Sequence, residues 1–302
     1  MGGIQRESLG SASNVYKGLE YRPTNNRQSV QIEKESRVHN KKGINDMKTL
    51  VVAQQKGGVG KTSSLVHLAF DFLERGLRVA VIDLDTQGNA SFTLQDFNSG
   101  YLASQMFDMD GDSLKQWFCD LPDGPLIRLV ASDAVLANME KRSLTDAAAV
   151  FKKNIQALDD CGFDVVLIDT PPALGVSLAA ALYAADCVLS PIELEAYSIQ
   201  GIKKMFMTIA NVRKLNTKLK FLGMVPSKVD ARNPRHVRHL SELRAAYPQL
   251  MLPTGIGLRS SIADALASGV PVWKIKKTAA RKASQEVRAL AAHVYELMEI
   301  TQ

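Results

Sequence analysis

The sequence has little cysteine and no long apolar run. Among its 302 residues are three cysteines, Cys119, Cys161 and Cys187, far apart and without the paired C-x-x-C spacing of a metal or iron–sulfur site. We therefore expect small buried thiols in a reduced protein. No apolar stretch approaches the ~18 residues of a membrane-spanning helix, and the N-terminus has no signal-peptide core. These absences predict a soluble cytoplasmic protein.

Positive charge is concentrated in one part of the chain. The formal net charge is +6, yet residues 203–244 contain eleven lysines and arginines against two acidic residues, a local net of +9 that leaves −3 for the remainder. A basic block in an otherwise slightly acidic protein predicts a polyanionic partner. The alternative interpretation is an ordinary solvated helix surface.

Residues 1–46 differ in composition from the rest of the chain. They are polar, have few large apolar residues and show no periodicity, so we expect a disordered N-terminal leader. Met47 stands directly before the first predicted strand. Translation from this methionine is a hypothesis that mass spectrometry of the natively expressed protein would test. We assign the folded domain to residues 47–302.

From residue 47 onward, apolar runs alternate with helical patterns. The predicted strands cover 48–54, 77–85, 125–132, 163–172, 187–193 and 221–229, with a weaker one at 250–256 and a long helical stretch at roughly 133–160. Runs that are apolar on both faces indicate a parallel sheet covered on both sides by helices. The predicted fold class is α/β, a doubly wound, mostly parallel sheet that binds ligands at the carboxyl ends of its strands.

A glycine-rich segment, KGGVGKTS (56–63), joins the first strand to the first helix. Gly57, Gly58 and Gly60 allow backbone N–H groups to approach phosphate, and the helix N-terminus adds positive potential. Lys61 is predicted to reach the β- and γ-phosphates of a nucleotide, and the Thr62 hydroxyl to bind Mg²⁺. Strand, glycines, Lys-Thr and helix in this order predict a nucleotide site.

Aspartates stand at the ends of two further predicted strands. Asp83 and Asp85 end the second strand, where alternation would direct them to the same face, and Asp169 follows the apolar run VVLI. We expect Asp169 to hold Mg²⁺ through water and Asp85 to orient the attacking water. For Asp83, a purely structural role is an equally good interpretation. Thr62, Asp85 and Asp169 form the predicted magnesium site.

Adenine contacts are expected near 226–230 and 253–257. The predicted nucleotide-binding residues are Gly57, Gly58, Val59, Gly60, Lys61, Thr62, Ser63, Asp169 and Pro226.

Four ordered motifs together resemble one known family. They are KGGVGKT (56–62), VIDLDTQGNAS (81–91), VVLIDTPPALG (165–175) and LRSSIADALASGVPVW (258–273). This combination is similar to the ParA family of DNA-partition ATPases, with its deviant Walker A box, over about residues 47–302. Within the family, KVDARNPRHV (228–237) and WKIKKTAARKASQEVRAL (273–290) resemble the partition ATPases of IncP-type plasmids. One departure is Thr86, where many members have proline.

The resemblance implies a role for the second lysine of the loop. In ParA-like ATPases the residue corresponding to Lys56 reaches across a dimer interface to the partner's phosphates, so that dimerisation depends on the triphosphate. Lys56, Lys61 and Asp85 are therefore the predicted catalytic residues. The family also implies ATP and Mg²⁺ as cofactors, weak intrinsic hydrolysis, nonspecific duplex DNA as a ligand and association with the nucleoid. Its further implied partner is a ParB-type centromere-binding protein, KorB-like in the IncP-type branch.

The basic residues supply the predicted DNA surface. Few aromatic residues accompany them, which favours contact with duplex phosphates over stacking on single strands. The predicted DNA-binding residues are Lys203, Lys204, Arg213, Lys214, Arg232, Arg235, Arg238, Arg259, Lys274, Lys276 and Lys277, with Lys218, Lys220, Arg281 and Lys282 as further candidates.

Three other functions fit the sequence less well. A MinD-like membrane-associated regulator needs a basic amphipathic C-terminal helix, whereas the apolar stripe at 287, 290, 291, 294, 297 and 298 suits a helix packed on the sheet and Glu296 and Glu299 would be repelled by anionic lipid. A nitrogenase iron protein relative would need suitably placed cysteines. A sequence-specific regulator would need more than 46 polar residues to form its own domain.

Overall fold

The computed structural model of the chain describes residues 46–108, 110–194 and 198–300, without the side chains of residues 198–201. The leader predicted for residues 1–46 lies, except for Asp46, outside this part of the chain. Within it, seven strands form a single sheet in the order β3-β4-β2-β5-β1-β6-β7, and every neighbouring pair is parallel. The strands are β1 Lys48–Val52, β2 Arg78–Asp83, β3 Asn98–Leu102, β4 Leu126–Ala131, β5 Val165–Asp169, β6 Cys187–Glu193 and β7 Lys220–Ser227.

Helices connect the strands. They are α1 Lys61–Glu74, α2 Asn89–Thr93, α3 Gly111–Phe118, α4 Leu144–Asp160, α5 Val176–Ala184, α6 Ser198–Arg213, α7 Pro234–Ala246, α8 Ser260–Ala267 and α9 Ala280–Leu297. The helical stretch predicted at 133–160 is divided into a 3₁₀ segment, Ala134–Lys141, and α4. The break is at Arg142 and Ser143, both with extended backbone, which separate the 3₁₀ segment from α4.

Both faces of the sheet are buried, as the continuous apolar runs predicted. Along β1 and the residue after it, Val51 and Ala53 face one core, which α3, α4, α5 and α6 cover. Leu50 and Val52 face the other core, which α1, α8 and α9 cover. β1 is thus an interior strand of a three-layer α/β domain, with β5 and β6 as its neighbours.

Two strand predictions need correction. The run at 250–256 is not a strand but makes one isolated bridge, between Met251 and Met224. The sequence analysis did not predict the edge strand β3, NSGYL. An edge strand pairs with only one neighbouring strand, and only Tyr101 of β3 is buried, so β3 has no apolar run. Neither difference affects the central strands.

The cysteine prediction is also corrected. Cys119 follows α3 and is exposed, and it forms a disulfide with Cys161, which follows α4. Cys187 is a free buried thiol, as expected. The two paired cysteines are 42 residues apart in sequence, and they meet because α3 and α4 pack side by side with their C-terminal ends together, a proximity that spacing alone does not reveal.

The apolar stripe of the last helix is part of the core. Val287, Leu290, Ala291, Val294 and Met298 are buried against the face of the sheet that α1 also covers. The apolar face that α9 would need for membrane binding is therefore already buried in the protein core. Across the described ranges, every helix is too short or too polar to span a bilayer.

Candidate nucleotide-binding site

The glycine-rich loop lies between the end of β1 and the start of α1, at the carboxyl edge of the sheet. Gly60 precedes α1 with a positive φ of 92°. A Cβ built there would lie 2.6 Å from the Ser227 hydroxyl oxygen at the end of β7. Both the backbone conformation and the close approach require glycine at this position. The loop thereby lies close to the end of β7.

Lys61 begins α1 and is buried. Burial lowers the pKa of its ammonium group, and the negative charges of Asp169 and Asp85 oppose that change. A cation that is removed from water yet close to two carboxylates is well placed to bind a more highly charged anion. Lys61 also lies at the N-terminus of a 14-residue helix, where the helix dipole adds positive potential for an anion.

Thr62 and Asp169 are hydrogen-bonded to each other. The Thr62 hydroxyl donates to Asp169 Oδ2 at 2.6 Å, and the other carboxylate oxygen, Oδ1, is buried without a hydrogen-bond donor among the described residues. Burial raises the pKa of Asp169 to about 7, assisted by the charges of Asp83 and Asp85 and opposed by Thr62 and Lys61. An unsatisfied buried carboxylate oxygen beside a hydroxyl fits Mg²⁺, which in nucleotide sites takes one or two protein oxygens plus phosphate and water.

Sheet register explains why these carboxylates meet. Asp169 ends β5 and is opposite both Val52 of β1 and Asp83 of β2. Asp83 is buried and accepts hydrogen bonds from the Asp85 and Ser91 backbone N–H groups and from the Ser91 hydroxyl. Its role is therefore to anchor the loop after β2.

Asp85 lies beyond the end of its strand. Because β2 ends at Asp83, strand alternation does not extend to Asp85. The Asp85 side chain is partly exposed and accepts the Gln87 N–H at 3.0 Å, while its backbone oxygen accepts the Ser132 hydroxyl. Asp85 is thus the solvent-accessible member of the aspartate pair, and a water molecule can reach it.

Lys56 is at the outer rim of the loop. Its ammonium lies 2.8 Å from Glu193 Oε2, at the end of β6, and 48% of its side chain is exposed. Lys228, just after β7, lies 3.3 Å from the other oxygen of the same carboxylate. A Cβ built on Gly58 would be 3.9 Å from the Lys228 ammonium, so Lys228 also borders the loop. The sequence analysis did not identify Glu193 or Lys228, because no motif connects the ends of β6 and β7 with the loop.

The predicted DNA-binding residues lie on several elements. α6, which carries Lys203, Lys204 and Arg213, packs on one face of the sheet, and the segment 272–277 packs on the opposite face. Most of the predicted side chains are exposed: Lys203, Lys204, Arg213, Lys214, Arg232, Arg235, Arg238, Lys274, Lys276 and Lys277. They therefore do not share one face of the sheet.

Some of these cations already have acidic partners. Arg259 is only partly exposed and makes two hydrogen bonds to Glu286, at 2.5 and 2.9 Å. Lys277 pairs with Asp264 at 2.7 Å, and Arg232 pairs with Asp230 at 3.2 Å. Arg259 joins the start of α8 to α9 and is the predicted DNA residue with the clearest structural role.

Neither histidine of α7 is arranged as a metal ligand. His236 accepts the Asp230 N–H, and His239 contacts the Leu194 carbonyl oxygen. In the described ranges no three His, Cys, Asp or Glu side chains form a metal-binding group.

The chain is similar in sequence and in fold to several known proteins. The family model described as an AAA domain matches residues 47–221. Protein IncC of Escherichia coli is 68% identical over 267 residues, which are 87% of this chain and 73% of IncC. The chromosome-partitioning ATPase Soj of Thermus thermophilus is 31% identical, covering 80% of this chain and 96% of Soj. The ATP complex of a Cyanothece McdA variant superposes with a TM-score of 0.70 at 23% identity, over 85% of this chain and 98% of McdA, which shows a shared fold.

The all-parallel sheet and its glycine-rich loop define a P-loop nucleotide-binding protein with a second loop lysine. The chain belongs to the ParA family of partition ATPases and is similar to IncC within it. The family and fold predictions are therefore confirmed.

Proposed function

We propose that this protein is an ATP-dependent ATPase that partitions low-copy DNA. ATP with Mg²⁺ binds at the loop, two copies dimerise around two nucleotides, and the dimer binds duplex DNA without sequence preference. Hydrolysis stimulated by a ParB-type, KorB-like partner then returns the protein to its free form. The observation that carries the proposal is the contrast between the two loop lysines, Lys61 buried in the site and Lys56 exposed at its rim.

Each residue of the site has a part in this mechanism. Lys61 and the loop N–H groups bind the β- and γ-phosphates. Thr62 and Asp169 would hold Mg²⁺, which when bound offsets the charge that develops on the phosphates. Asp85 positions water for in-line attack, since phosphoryl transfer depends on positioning more than on a strong base. Lys56 offers a second cation to the nucleotide of the partner copy.

Binding to random-sequence duplex DNA is the experiment that tests this function. It is measured with ATP–Mg²⁺, with ADP–Mg²⁺ and without nucleotide, across a salt series. We expect strong binding with ATP only, and an affinity that falls steeply with salt because phosphate contacts release counterions. Equal binding in all three states would contradict nucleotide control of the DNA surface.

The two lysines separate binding from dimerisation. Lys61→Ala is expected to abolish nucleotide binding. Lys56→Ala is expected to bind nucleotide normally but to lose the ATP-dependent dimer in sedimentation experiments. An ATP dimer of normal stability in the Lys56→Ala protein would refute the role proposed for Lys56.

A further inference from the structure

The carboxylate of Glu193 lies between two lysines at the rim of the loop. Its Oε2 is 2.8 Å from the Lys56 ammonium, and its Oε1 is 3.3 Å from the Lys228 ammonium. The Glu193 side chain is 17% exposed, whereas those of Lys56 and Lys228 are 48% and 45% exposed. The acid is thus fixed and mostly covered, and both cations reach it from solvent.

The backbone holds Lys228 in this position. Lys228 has a positive φ of 54°, which is uncommon for a residue with a side chain. The next residue is hydrogen-bonded on both sides, because the Val229 N–H donates to the Ile256 oxygen and the Val229 oxygen accepts from the Leu258 N–H. These bonds fix the left-handed turn that directs Lys228 towards Glu193 and the loop.

In the proposed function Lys56 extends out of its own chain to the phosphates of another copy, which moves its ammonium away from the Glu193 carboxylate of its own chain. If Lys56 serves the partner's nucleotide, its ion pair with Glu193 must first be broken. Separation of a mostly covered carboxylate from its cation is unfavourable unless another cation remains. Lys228, bound to the second oxygen, is such a cation.

We propose that Glu193 is a latch that retains Lys56 in the nucleotide-free monomer and releases it on ATP-driven dimerisation, with Lys228 remaining on the carboxylate. The proposal rests on the trans role of Lys56 under the proposed function. It adds a positioning residue, Glu193, that sets how readily the dimer forms. The latch opposes dimerisation by the strength of its ion pair, once in each copy.

The first test measures Lys56 directly, without nucleotide or dimerisation. The full-length protein is treated with an amine-acylating reagent, and the rate of Lys56 modification is followed by mass spectrometry. An ion pair of this exposure is worth about 0.2–1 kcal/mol, so Glu193→Gln should raise the rate about 1.4- to 5-fold. Lys228→Met should lower it, because Glu193 then has one neutralising cation fewer. Glu296→Gln, the same change on an exposed residue of α9, serves as the matched control and should leave the rate unchanged.

The second test measures the dimer. With a non-hydrolysable ATP analogue and Mg²⁺, sedimentation equilibrium should give a dimer dissociation constant about 2- to 30-fold lower for Glu193→Gln than for the wild type, since one pair per copy is removed. In a Lys56→Ala background, where the ATP dimer is expected to be lost, the same substitution should not restore it, because Glu193 then has no Lys56 to retain.

The outcomes distinguish this proposal from the proposed function. An unchanged Lys56 acylation rate in Glu193→Gln overturns the latch, and so does a raised rate with an unchanged dimer constant. A normal ATP dimer in Lys56→Ala alone would instead contradict the trans role, and the acylation result would still show whether Glu193 restrains Lys56.

Discussion

Lys56 and Lys61 are chemically identical, and their surroundings give them different tasks. Lys61 is buried close to Asp169 and Asp85, so its charge is available only to a ligand inside the loop. Lys56, five residues earlier, is held at the surface by Glu193. The loop pattern and the family resemblance predict different tasks for the two lysines, and the structure adds the burial of Lys61 and the Glu193 partner of Lys56.

At the same scale, Asp85 is the aspartate on which hydrolysis is expected to depend. Asp85→Ala removes the partly exposed carboxylate but leaves Asp83 to anchor its loop. We expect this variant to bind ATP and to remain on DNA, with ATP turnover reduced at least tenfold, because water positioning typically contributes such factors. Steady-state phosphate release and DNA retention are the measurements. Turnover at the wild-type rate would mean that another group orients the water.

His67 makes folding stability depend on pH. Its Nδ1 lies 2.7 Å from the Ser63 oxygen and its Nε2 accepts the Val272 N–H, an arrangement that requires the neutral ring. Burial lowers the pKa of His67 to about 4, below the ordinary value near 6.5 of an unfolded chain. The unfolded state therefore binds the extra proton first. The contribution of the neutral His67 ring to folding stability is complete above about pH 6.5. It is lost as the pH falls towards 4, which lowers the free energy of unfolding by up to about 3 kcal/mol.

His67→Gln tests this pH dependence. Glutamine does not titrate, so the free energy of unfolding of the wild type relative to the variant should decrease between pH 7 and pH 4.5. Chemical denaturation at several pH values measures the difference. A constant difference across this range would show that His67 does not titrate as expected.

At the scale of elements, α1 is connected to the C-terminal part of the chain by a compact polar cluster. Asp71 of α1 is buried and pairs with Arg75 and with Arg288 of α9, each at 2.5 Å. The Arg288 guanidinium also pairs with Glu74 and lies 3.7 Å from the centre of the Trp273 ring. The helix that begins the nucleotide site is thus fixed to α9 and to the basic segment after Val272.

Arg288→Met should weaken this connection. The substitution keeps much of the packing volume but removes one cation from the buried Asp71, with Arg75 remaining. We expect the free energy of unfolding to fall by about 1–3 kcal/mol. Arg281→Met, on an exposed position of the same helix, should change it by less than about 0.5 kcal/mol. Equal effects of the two substitutions would show that the cluster contributes no specific stability.

Element boundaries show where sequence patterns are informative. β6 occupies 187–193 as predicted, because its continuous apolar run is buried on both faces. β3 was missed because an edge strand with one buried side chain has no such run. The strand predicted at 250–256 is wrong, because this segment makes only scattered backbone hydrogen bonds and one isolated bridge to β7 instead of a continuous ladder.

At the scale of the whole molecule, the disulfide between Cys119 and Cys161 closes a loop of 42 residues. Constraint of a loop this long in the unfolded chain corresponds to about 4 kcal/mol in the chain-entropy model. We therefore expect Cys119→Ser, or treatment with a reductant, to lower the free energy of unfolding by up to this amount. Nucleotide binding should be unchanged, because the disulfide joins the ends of α3 and α4 and is not part of the glycine-rich loop.

Denaturation of the oxidised protein, the reduced protein and the variant measures this effect. Cys187→Ser, at the remaining free thiol, is the control for loss of a cysteine and should respond to reductant as the wild type does. If reductant has no effect on the wild type, the bond does not stabilise the fold in solution.

The sequence by itself determined the phosphate loop, the two-sided parallel sheet and the family. These are local features. The glycines, Lys61 and Thr62 are neighbours in the chain, and the composition of each apolar run is enough to indicate that the run is buried. Only the tertiary structure decided that Asp83 anchors while Asp85 remains accessible. It alone brought Lys56 to Glu193, 137 residues away in sequence. The physical reason is that contacts between strand ends depend on strand order and register, which parallel crossovers set over long stretches of chain.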